Sequence, residues 1–210
     1  MKKEKLLNFK PTQLAIGMLE VKDKLKELSR MNRAKLEKEV RENPLEAVRS
    51  PNKDIYIVDG HHRAMAYWLF GLRKAPYVIL YRFPKRASCK IFWKMMYKKH
   101  WAHPYDQSGD GPRDPVYFNQ DIRGIGNDPY RSLAWLVREA GGYKKTDETF
   151  ADFKWADFFR KRKLLICSYE PDFHQALPKA LKLAHSKKAR HLPGYNQKPT
   201  AEKVAMRKKK

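Results

Sequence analysis

Five consecutive residues, Asp59-Gly60-His61-His62-Arg63, bring together residue types that bind and transform phosphate groups. They follow the apolar run 54–58 and precede the helix-forming run 64–70, which Gly71 ends. The first amides of a helix lack partners within the helix, and the helix dipole strengthens their attraction for an anion. A glycine here lets that anion approach the backbone closely. The pattern predicts a strand, a phosphate-binding turn and a helix, although an ordinary turn with one packed histidine has the same sequence.

Each side chain of this turn has a chemistry to offer. Arg63 carries a planar fork of donors that suits phosphate oxygens. His61 and His62 can donate to phosphate or transfer a proton near neutral pH. Asp59 can cap the helix, orient a histidine or hold Mg²⁺. Two adjacent histidines without a third ligand at a suitable spacing do not predict a zinc site.

Neither the acidic residues nor the cysteines form a recognised metal pattern. Asp114, Asp121 and Asp128 are spread along one loop without the spacing of a known metal-binding motif. Cys89 and Cys167 stand far apart, which gives no metal spacing and no disulfide framework and fits a reducing cytoplasm. We find no export signal and no apolar run near the roughly 20 residues that a membrane span needs. We therefore expect a cytoplasmic protein with no membrane partner and no protein-bound metal.

The charge of the chain favours contact with polyanions. Lys and Arg number 46 against 23 Asp and Glu, a formal net charge of +23. Such a surplus gathers nucleic acid, nucleotides or acidic membrane, although a solvated lysine surface accounts for part of it. From Lys182 the chain is basic and ends in Arg207-Lys208-Lys209-Lys210. This tail, residues 181–210, is predicted to be solvated and flexible, or to serve as an arm that binds DNA or RNA phosphates.

The elements that must position the turn fall in residues 6–86, which read as a compact α/β domain. Good helix formers and apolar spacing predict a helix over 20–36, and Asn43-Pro44 stops it. The runs 47–48 and 54–58 predict two strands, and the apolar run 77–81 predicts a further, central one.

Residues 87–180 read as a mainly helical extension. A helix begins in 91–97, a loop rich in Gly, Pro and Asp covers 101–127, and a further helix starts at Pro129 with Asp128 as its N-cap. Gly141-Gly142 ends that helix. An aromatic stripe at residues 150–159 is predicted to be core.

The segment Val58–Ala64 resembles the second sequence box of the ParB/sulfiredoxin superfamily. That box reads Gly-Glu-Arg-Arg in ParB, Gly-Cys-His-Arg in sulfiredoxin and Asp-Gly-His-His-Arg in the free serine kinases of this fold. The whole chain is similar to ParB-like proteins labelled nucleases, over roughly residues 10–165. The shared blocks are Pro11-Thr12-Gln13, Gly17 with Glu20-Val21, the turn, 127–134 and 155–160. The resemblance implies an α/β (α+β) fold with a small mixed sheet, a helical C-terminal extension and a basic tail.

The resemblance also implies a nucleotide or phosphate site at residues 59–63. ParB hydrolyses CTP, sulfiredoxin uses ATP on an oxidised cysteine, and the serine kinases phosphorylate an amino acid. The turn here lacks the sulfiredoxin cysteine, and no helix-turn-helix follows as in ParB. We therefore expect an enzyme acting on the phosphates of a nucleotide or nucleic acid, an NTPase or a nuclease, with ATP, ADP or CTP and Mg²⁺ as cofactor. The alternatives are a small-molecule kinase of the free-serine type and a noncatalytic nucleic-acid-binding protein.

Within this hypothesis Arg63 and the amides of Gly60 to His62 hold the phosphates, and His61 or His62 stabilises the charge that develops. Glu20 stands where the serine kinases of this fold place a catalytic glutamate, so it is the candidate general base or metal-orienting carboxylate. An ordinary glutamate at a helix start is the alternative. A second substrate or phosphate site is predicted at Asp128, Arg131 and Ser132, with capping and packing of that helix as the alternative.

Overall fold

The strand that leads into the turn belongs to the first of two units in the computed structural model. The structure describes residues 1–166 and 171–197. Contacts between residues group Met1–Asp128 as the first unit and Pro129–Lys210 as the second. Cys167 lies outside the described residues. The domain divisions predicted from the sequence, 6–86, 87–180 and 181–210, stay predictions.

Five strands of the first unit form one mixed sheet in the order β1-β6-β4-β5-β2. The pairs β1–β6 and β4–β5 are antiparallel, whereas β4–β6 and β2–β5 are parallel. A separate parallel pair joins β3 to β7. The strands are β1 (Lys3–Lys5), β2 (Phe9–Pro11), β3 (Ala15–Ile16), β4 (Leu45–Arg49), β5 (Ile55–Asp59), β6 (Lys74–Arg82) and β7 (Gly126–Asn127). The predicted mixed α/β fold is confirmed.

The described residues also form seven α-helices. They are α1 (Met18–Ser29), α2 (Arg33–Glu42), α3 (His61–Phe70), α4 (Cys89–Lys98), α5 (Pro129–Glu139), α6 (Ala151–Arg160) and α7 (Phe173–Ala184). The prediction of one helix over 20–36 is wrong, because α1 ends at Ser29 and a second helix follows. The Asn32 side chain accepts a hydrogen bond from the Lys35 amide at 3.0 Å and so caps α2.

Alternate side chains of β4 and β5 point to opposite faces of the sheet, and each face packs against a different apolar cluster. Ala47 and Ile57 belong to the apolar cluster that includes residues of α1 and α3. Val48 and Tyr56 belong to the cluster on the other face, which includes Phe92 of α4. Successive side chains of a strand point to opposite faces, so a sheet covered on both sides holds β5 and the turn after it rigidly.

The second unit packs α5, α6 and α7 around Trp155. Trp155 is fully buried, stacks on Tyr143 with 4.3 Å between ring centroids, and donates a hydrogen bond to the Pro193 carbonyl at 2.8 Å. Phe153, Phe158 and Phe159 are buried with it. The prediction that the aromatic stripe is core is therefore confirmed.

Where the structure describes the predicted tail, at residues 181–197, part of it is packed rather than solvated. Helix α7 continues through Ala184, and Ala184 and Ala189 are fully buried in the core of the second unit. Small residues among the lysines provide that packing, which a count of charges does not reveal. The remainder of the predicted tail, residues 198–210, lies outside the described residues. Among the helices that are described, we find none with the length and apolar character of a membrane-spanning segment.

Candidate active site

The 59–63 turn has the backbone geometry of an anion-binding site. Strand β5 ends at Asp59, Gly60 takes φ 92° and ψ 19°, and α3 begins at His61. The first helical hydrogen bond runs from the Ala64 amide to the Gly60 carbonyl at 2.8 Å, so the helix amides before Ala64 lie at an end that no intrahelical acceptor serves. A Cβ at position 60 would meet Leu45 Cδ2 at 2.9 Å. Both φ and space therefore require glycine there.

His61 faces the interior of the unit. It is 2% exposed, and its Nε2 accepts a hydrogen bond from the Thr12 amide at 3.0 Å. Burial lowers the pKa of His61 to about 3, an effect that the nearby Asp59 opposes only in part. The imidazole is thus neutral near pH 7, with its proton on Nδ1. Its contacts are those of a residue that positions the turn against Thr12.

His62 lies beside the predicted general base. Its Nε2 is 3.6 Å from Glu20 Oε2 and 3.2 Å from the backbone nitrogen of Gly17, whose amide donates to it. The side chains of His62 and Glu20 are 14% and 16% exposed. Glu20 stands in the first turn of α1, and its Oε1 is 3.7 Å from Lys24 Nζ. Of the two histidines, His62 is the one that the fold places against an acidic side chain.

Arg63 is anchored by one edge of its guanidinium. Its Nη1 donates to the carbonyls of Asn43 and Pro44, at 3.4 and 3.2 Å. The same nitrogen lies 3.6 Å from the position that a Cβ on Gly60 would take, so the guanidinium is next to the turn. These hydrogen bonds use one nitrogen of the guanidinium, and a guanidinium has further N–H donors on its other nitrogens. Arg63 therefore contributes to the structure as well as to the predicted phosphate site.

Residues distant in sequence complete the surroundings of Glu20. The parallel pairing of β3 with β7 brings Asn127 next to the start of α1, where its Oδ1 accepts from the Met18 amide at 3.3 Å. The Asp128 amide donates to the Ile16 carbonyl at 2.9 Å. Thr12 reaches the same region, with its Oγ1 2.6 Å from the Ile57 carbonyl. Segments around residues 12, 17, 60 and 127 thus meet at one place in the first unit.

The structure gives the residues of the predicted second site structural contacts. Asp128, Arg131 and Ser132 are all buried. The Arg131 guanidinium lies 4.0 Å from the centre of the Phe153 ring and 3.7 Å from Asp152 Oδ2, both in the second unit. Burial alone would raise the pKa of Asp152, but Arg131 and Arg138 hold it below its usual value. These contacts are those of a packed ion pair, and the second site stays a prediction.

The carboxylates nearest the turn suit a metal ion that is bound partly by the phosphates of a nucleotide. Among the described residues, no three His, Cys, Asp or Glu side chains gather as a metal site. Asp59 and Glu46 are cross-strand partners on β5 and β4, and both are exposed. Mg²⁺ in nucleotide enzymes is commonly held by one or two carboxylates plus substrate phosphates. Two carboxylates before the turn therefore fit a Mg²⁺–nucleotide.

Sequence reasoning missed two residues that build the site, Thr12 and Asn127. Thr12 holds His61, and Asn127 holds the start of the helix that carries Glu20. Both stand in the sequence blocks shared with ParB-like proteins. Membership of a shared block was therefore the signal that could have found them, since neither residue carries an obvious chemistry.

Comparison with known proteins agrees with the fold and the sequence blocks. A family model described as "Putative ParB-like nuclease" matches residues 3–161. The chain is also similar to a solved structure titled crystal structure of protein Atu1540 from Agrobacterium tumefaciens, at 32% sequence identity and a TM-score of 0.80. The alignment covers 93% of this chain and 97% of that one. No curated protein matches the sequence.

Proposed function

The chain belongs to this ParB-like family. From that membership we propose that it is an enzyme that binds phosphate at the 59–63 turn and hydrolyses either the phosphoanhydride bond of a nucleotide or the phosphodiester bond of a nucleic acid. The observation that carries the proposal is the pairing of His62 with Glu20 at the N-terminal end of α3. A helix N-terminus supplies donors for a phosphate, and a mostly buried acid–base pair beside it supplies a way to move a proton.

Glu20 is the group that takes the proton of the attacking water. Its carboxylate is restrained on both oxygens, by Lys24 at 3.7 Å and by His62 at 3.6 Å. These distances exceed those of tight ion pairs, which leaves the carboxylate able to accept from a nucleophile, and catalytic contacts commonly tighten when substrate binds. Protonation of His62 Nε2 would replace the hydrogen bond that this nitrogen accepts from the Gly17 amide with one donated to Glu20, which is how His62 would orient the carboxylate and share its proton. General-base catalysis of this kind contributes about 10²- to 10⁴-fold.

The remaining parts of the turn hold the phosphate charge. The first amides of α3 and the guanidinium of Arg63 would stabilise the negative charge that spreads over the phosphate oxygens during transfer. Asp59 and Glu46 would hold the Mg²⁺ of an ATP, ADP or CTP complex, and the ion when bound would neutralise part of the same charge. His61 keeps the turn in register with Thr12 and takes no proton near pH 7.

Two other functions fit particular observations. A small-molecule kinase would use the same Glu20 to deprotonate an acceptor hydroxyl, and the Asp-Gly-His-His-Arg form of the turn supports it. A noncatalytic protein that binds DNA or RNA would need only the surplus of cations, and the net charge of +23 supports it. The three functions are distinguished by turnover. A hydrolase turns over with water alone, a kinase needs an acceptor, and a noncatalytic protein binds without turnover.

We expect nucleotides to stabilise the protein through the turn. In a thermal-shift panel with ATP, ADP, CTP and GTP, each with Mg²⁺, a nucleotide present at about 100 times its Kd raises Tm by roughly 5–10 °C. Gly60→Ala should abolish the shift, because the Cβ meets Leu45 and displaces the turn. It should also lower the free energy of unfolding by about 1–2 kcal/mol or more, since φ is positive.

Gly71→Ala is the matched control for this experiment. Gly71 has φ 98°, close to that of Gly60, but nothing lies within 4 Å of its Cβ position. The control should lose stability from φ alone and keep the full nucleotide shift. Equal shifts in both variants would contradict the site. No shift with any nucleotide would remove the nucleotide-dependent functions and leave cleavage or binding of nucleic acid.

A further inference from the structure

A long stretch of the first unit carries cations without any acidic residue. Between Gly60 and Tyr105 the sequence holds ten Lys and Arg and no Asp or Glu. Acidic residues elsewhere in the unit are interspersed with the basic ones and pair with them, as Glu37 does with Arg33 in α2. The acid-free stretch contains α4 and the segment that leads into it, so the positive field of the unit is concentrated there.

Helix α4 directs its lysines to solvent. Phe92 and Met96 bury one face of the helix against the sheet. Lys90, Lys94 and Lys98, the α4 lysine stripe, are all exposed on the opposite face. Residues four apart in a helix lie about 6 Å apart along its axis, so the stripe holds three charges in a row of about 12 Å.

The stripe is surrounded by further unpaired cations. Four more basic residues of the same stretch are exposed: Arg82, Lys85, Arg86 and Lys99. Neither these four nor the three stripe lysines form an ion pair with any residue that the structure describes. Seven like charges within 18 residues repel one another, and the phosphates of a bound polyanion would offset that repulsion. The counterions that the polyanion releases on binding would add to its affinity.

An aromatic pair lies beside these charges. Tyr81 is 38% exposed, and its ring centroid is 6.2 Å from that of the half-buried Trp101. Tyr81 directly precedes Arg82, and Trp101 follows Lys98 by three residues. Every base has a π-face that can stack on an exposed aromatic ring, whereas the bases of a duplex are already stacked. A cationic row with an aromatic platform is the arrangement that suits a single strand.

We propose that the α4 lysine stripe and the Tyr81–Trp101 pair bind single-stranded DNA or RNA. The lysines would contact consecutive phosphates, and Tyr81 would stack on a base. The surface is connected to the turn: the Trp101 carbonyl is 2.7 Å from Thr12 Oγ1, and the Thr12 amide donates to His61. The inference rests on the proposed function in one respect, that the bound strand is also the substrate of the turn.

A membrane surface would need different residues. A helix that lies on a lipid surface keeps an apolar face free to enter the bilayer. The apolar face of α4 is packed on the sheet, and the only large apolar residue on its exposed side is Ile91. The charge and the aromatic pair therefore favour nucleic acid.

Fluorescence anisotropy tests this surface by measuring the Kd for labelled oligonucleotides of about 20 residues. The three ligands are a single DNA strand, a single RNA strand and a duplex. The triple variant Lys90→Gln/Lys94→Gln/Lys98→Gln should weaken binding of single strands about tenfold or more near 100 mM salt. It should also reduce the slope of log Kd against log salt by about 2, since each phosphate contact contributes about 0.7. Tyr81→Ala should weaken single-strand binding by about fivefold or more.

The matched control is Lys22→Gln/Lys26→Gln/Lys38→Gln, which removes the same charge from exposed lysines of α1 and α2. It should change Kd by less than about twofold. Equal losses in both triples, or an unchanged salt slope, would overturn the proposal, as would tighter binding of the duplex. The proposal would also be overturned if the stripe variant lost binding to vesicles of phosphatidylcholine with phosphatidylserine but kept its affinity for the oligonucleotide. The stripe triple should keep the full thermal shift that a Mg²⁺–nucleotide produces at the turn, so a failure of the proposed function stays distinguishable from a failure of this surface.

Discussion

Glu20→Gln should lower turnover by about 10²- to 10⁴-fold, with little change in Tm. The substitution keeps the size of the side chain but removes its negative charge and its capacity to accept a proton. A glutamine of the same shape can keep the long contacts of this side chain, 3.6 Å to His62 and 3.7 Å to Lys24, so the packing around position 20 is preserved. The rate of product release from nucleotide or oligonucleotide, measured with Mg²⁺, gives kcat and KM. We expect the loss to be in kcat.

Two further variants separate catalysis from charge. Glu27→Gln removes an exposed carboxylate of the same helix α1 and should leave turnover unchanged. His62→Gln should lower kcat, and the double variant should be no slower than Glu20→Gln alone, because two groups that share one proton act as a unit. Additive losses, or a fully active Glu20→Gln protein, would show that Glu20 is not the base.

His61→Gln should make the stability of the protein less dependent on pH. The pKa of His61 in the folded state is lowered to about 3 by burial, below its value of about 6.5 in the unfolded chain. A group with a lowered folded pKa stabilises the native state above its unfolded pKa, and that contribution is lost as pH falls. Between pH 7 and pH 4.5 the wild type should therefore lose about 2–3 kcal/mol more unfolding free energy than His61→Gln.

Urea unfolding at several pH values measures this difference. Acidic groups common to both proteins cancel when the two curves are compared. Glutamine can accept the hydrogen bond of the Thr12 amide but does not titrate. The unfolding free energy of each protein at pH 7 is therefore the reference against which its loss at lower pH is measured. Parallel curves for wild type and His61→Gln would mean that His61 is accessible to water and protonates normally.

The turn could be predicted from local sequence because every part of it is local. An apolar run makes β5, a glycine with positive φ makes the turn, and good helix formers up to Gly71 make α3. Gly71 ends the helix with φ 98°, as expected of a glycine C-cap. Each of these signals lies within a few residues of its effect. The strand, the turn and the helix that contain residues 59–63 were therefore predictable without a structure.

The different roles of the two histidines could not be predicted. Adjacent residues of a helix differ by about 100° in direction, and the sequence does not say which direction is the core. His61 meets Thr12 of the chain before β3, and His62 meets Gly17 and Glu20. All three partners lie more than 40 positions away, so only the packed fold separates a positioning histidine from one beside a carboxylate.

The remaining errors also come from long-range pairing. Strands β1 and β2 have the sequences Lys-Glu-Lys and Phe-Lys-Pro, which show no strand pattern and extend only because β6 and β5 pair with them. The pairing of β3 with β7 joins residues more than 100 positions apart and delivers Asn127 to α1. Cooperative contacts of this kind outweigh the weak preference of a two- or three-residue segment.

The central claim is that a phosphate meets the start of α3 beside His62 while His61 faces the core. Nuclear magnetic resonance of ¹⁵N-labelled protein tests this claim most directly. The protein is titrated with ADP and Mg²⁺ and, separately, with a single-stranded oligonucleotide. We predict that the ring nitrogens of His62 and the backbone amides of His61, His62 and Arg63 shift with one or both ligands. The ring of His61 should stay neutral with its proton on Nδ1 from pH 5 to 8. Shifts confined to other parts of the protein, or a His61 ring that titrates near pH 6.5, would contradict the account.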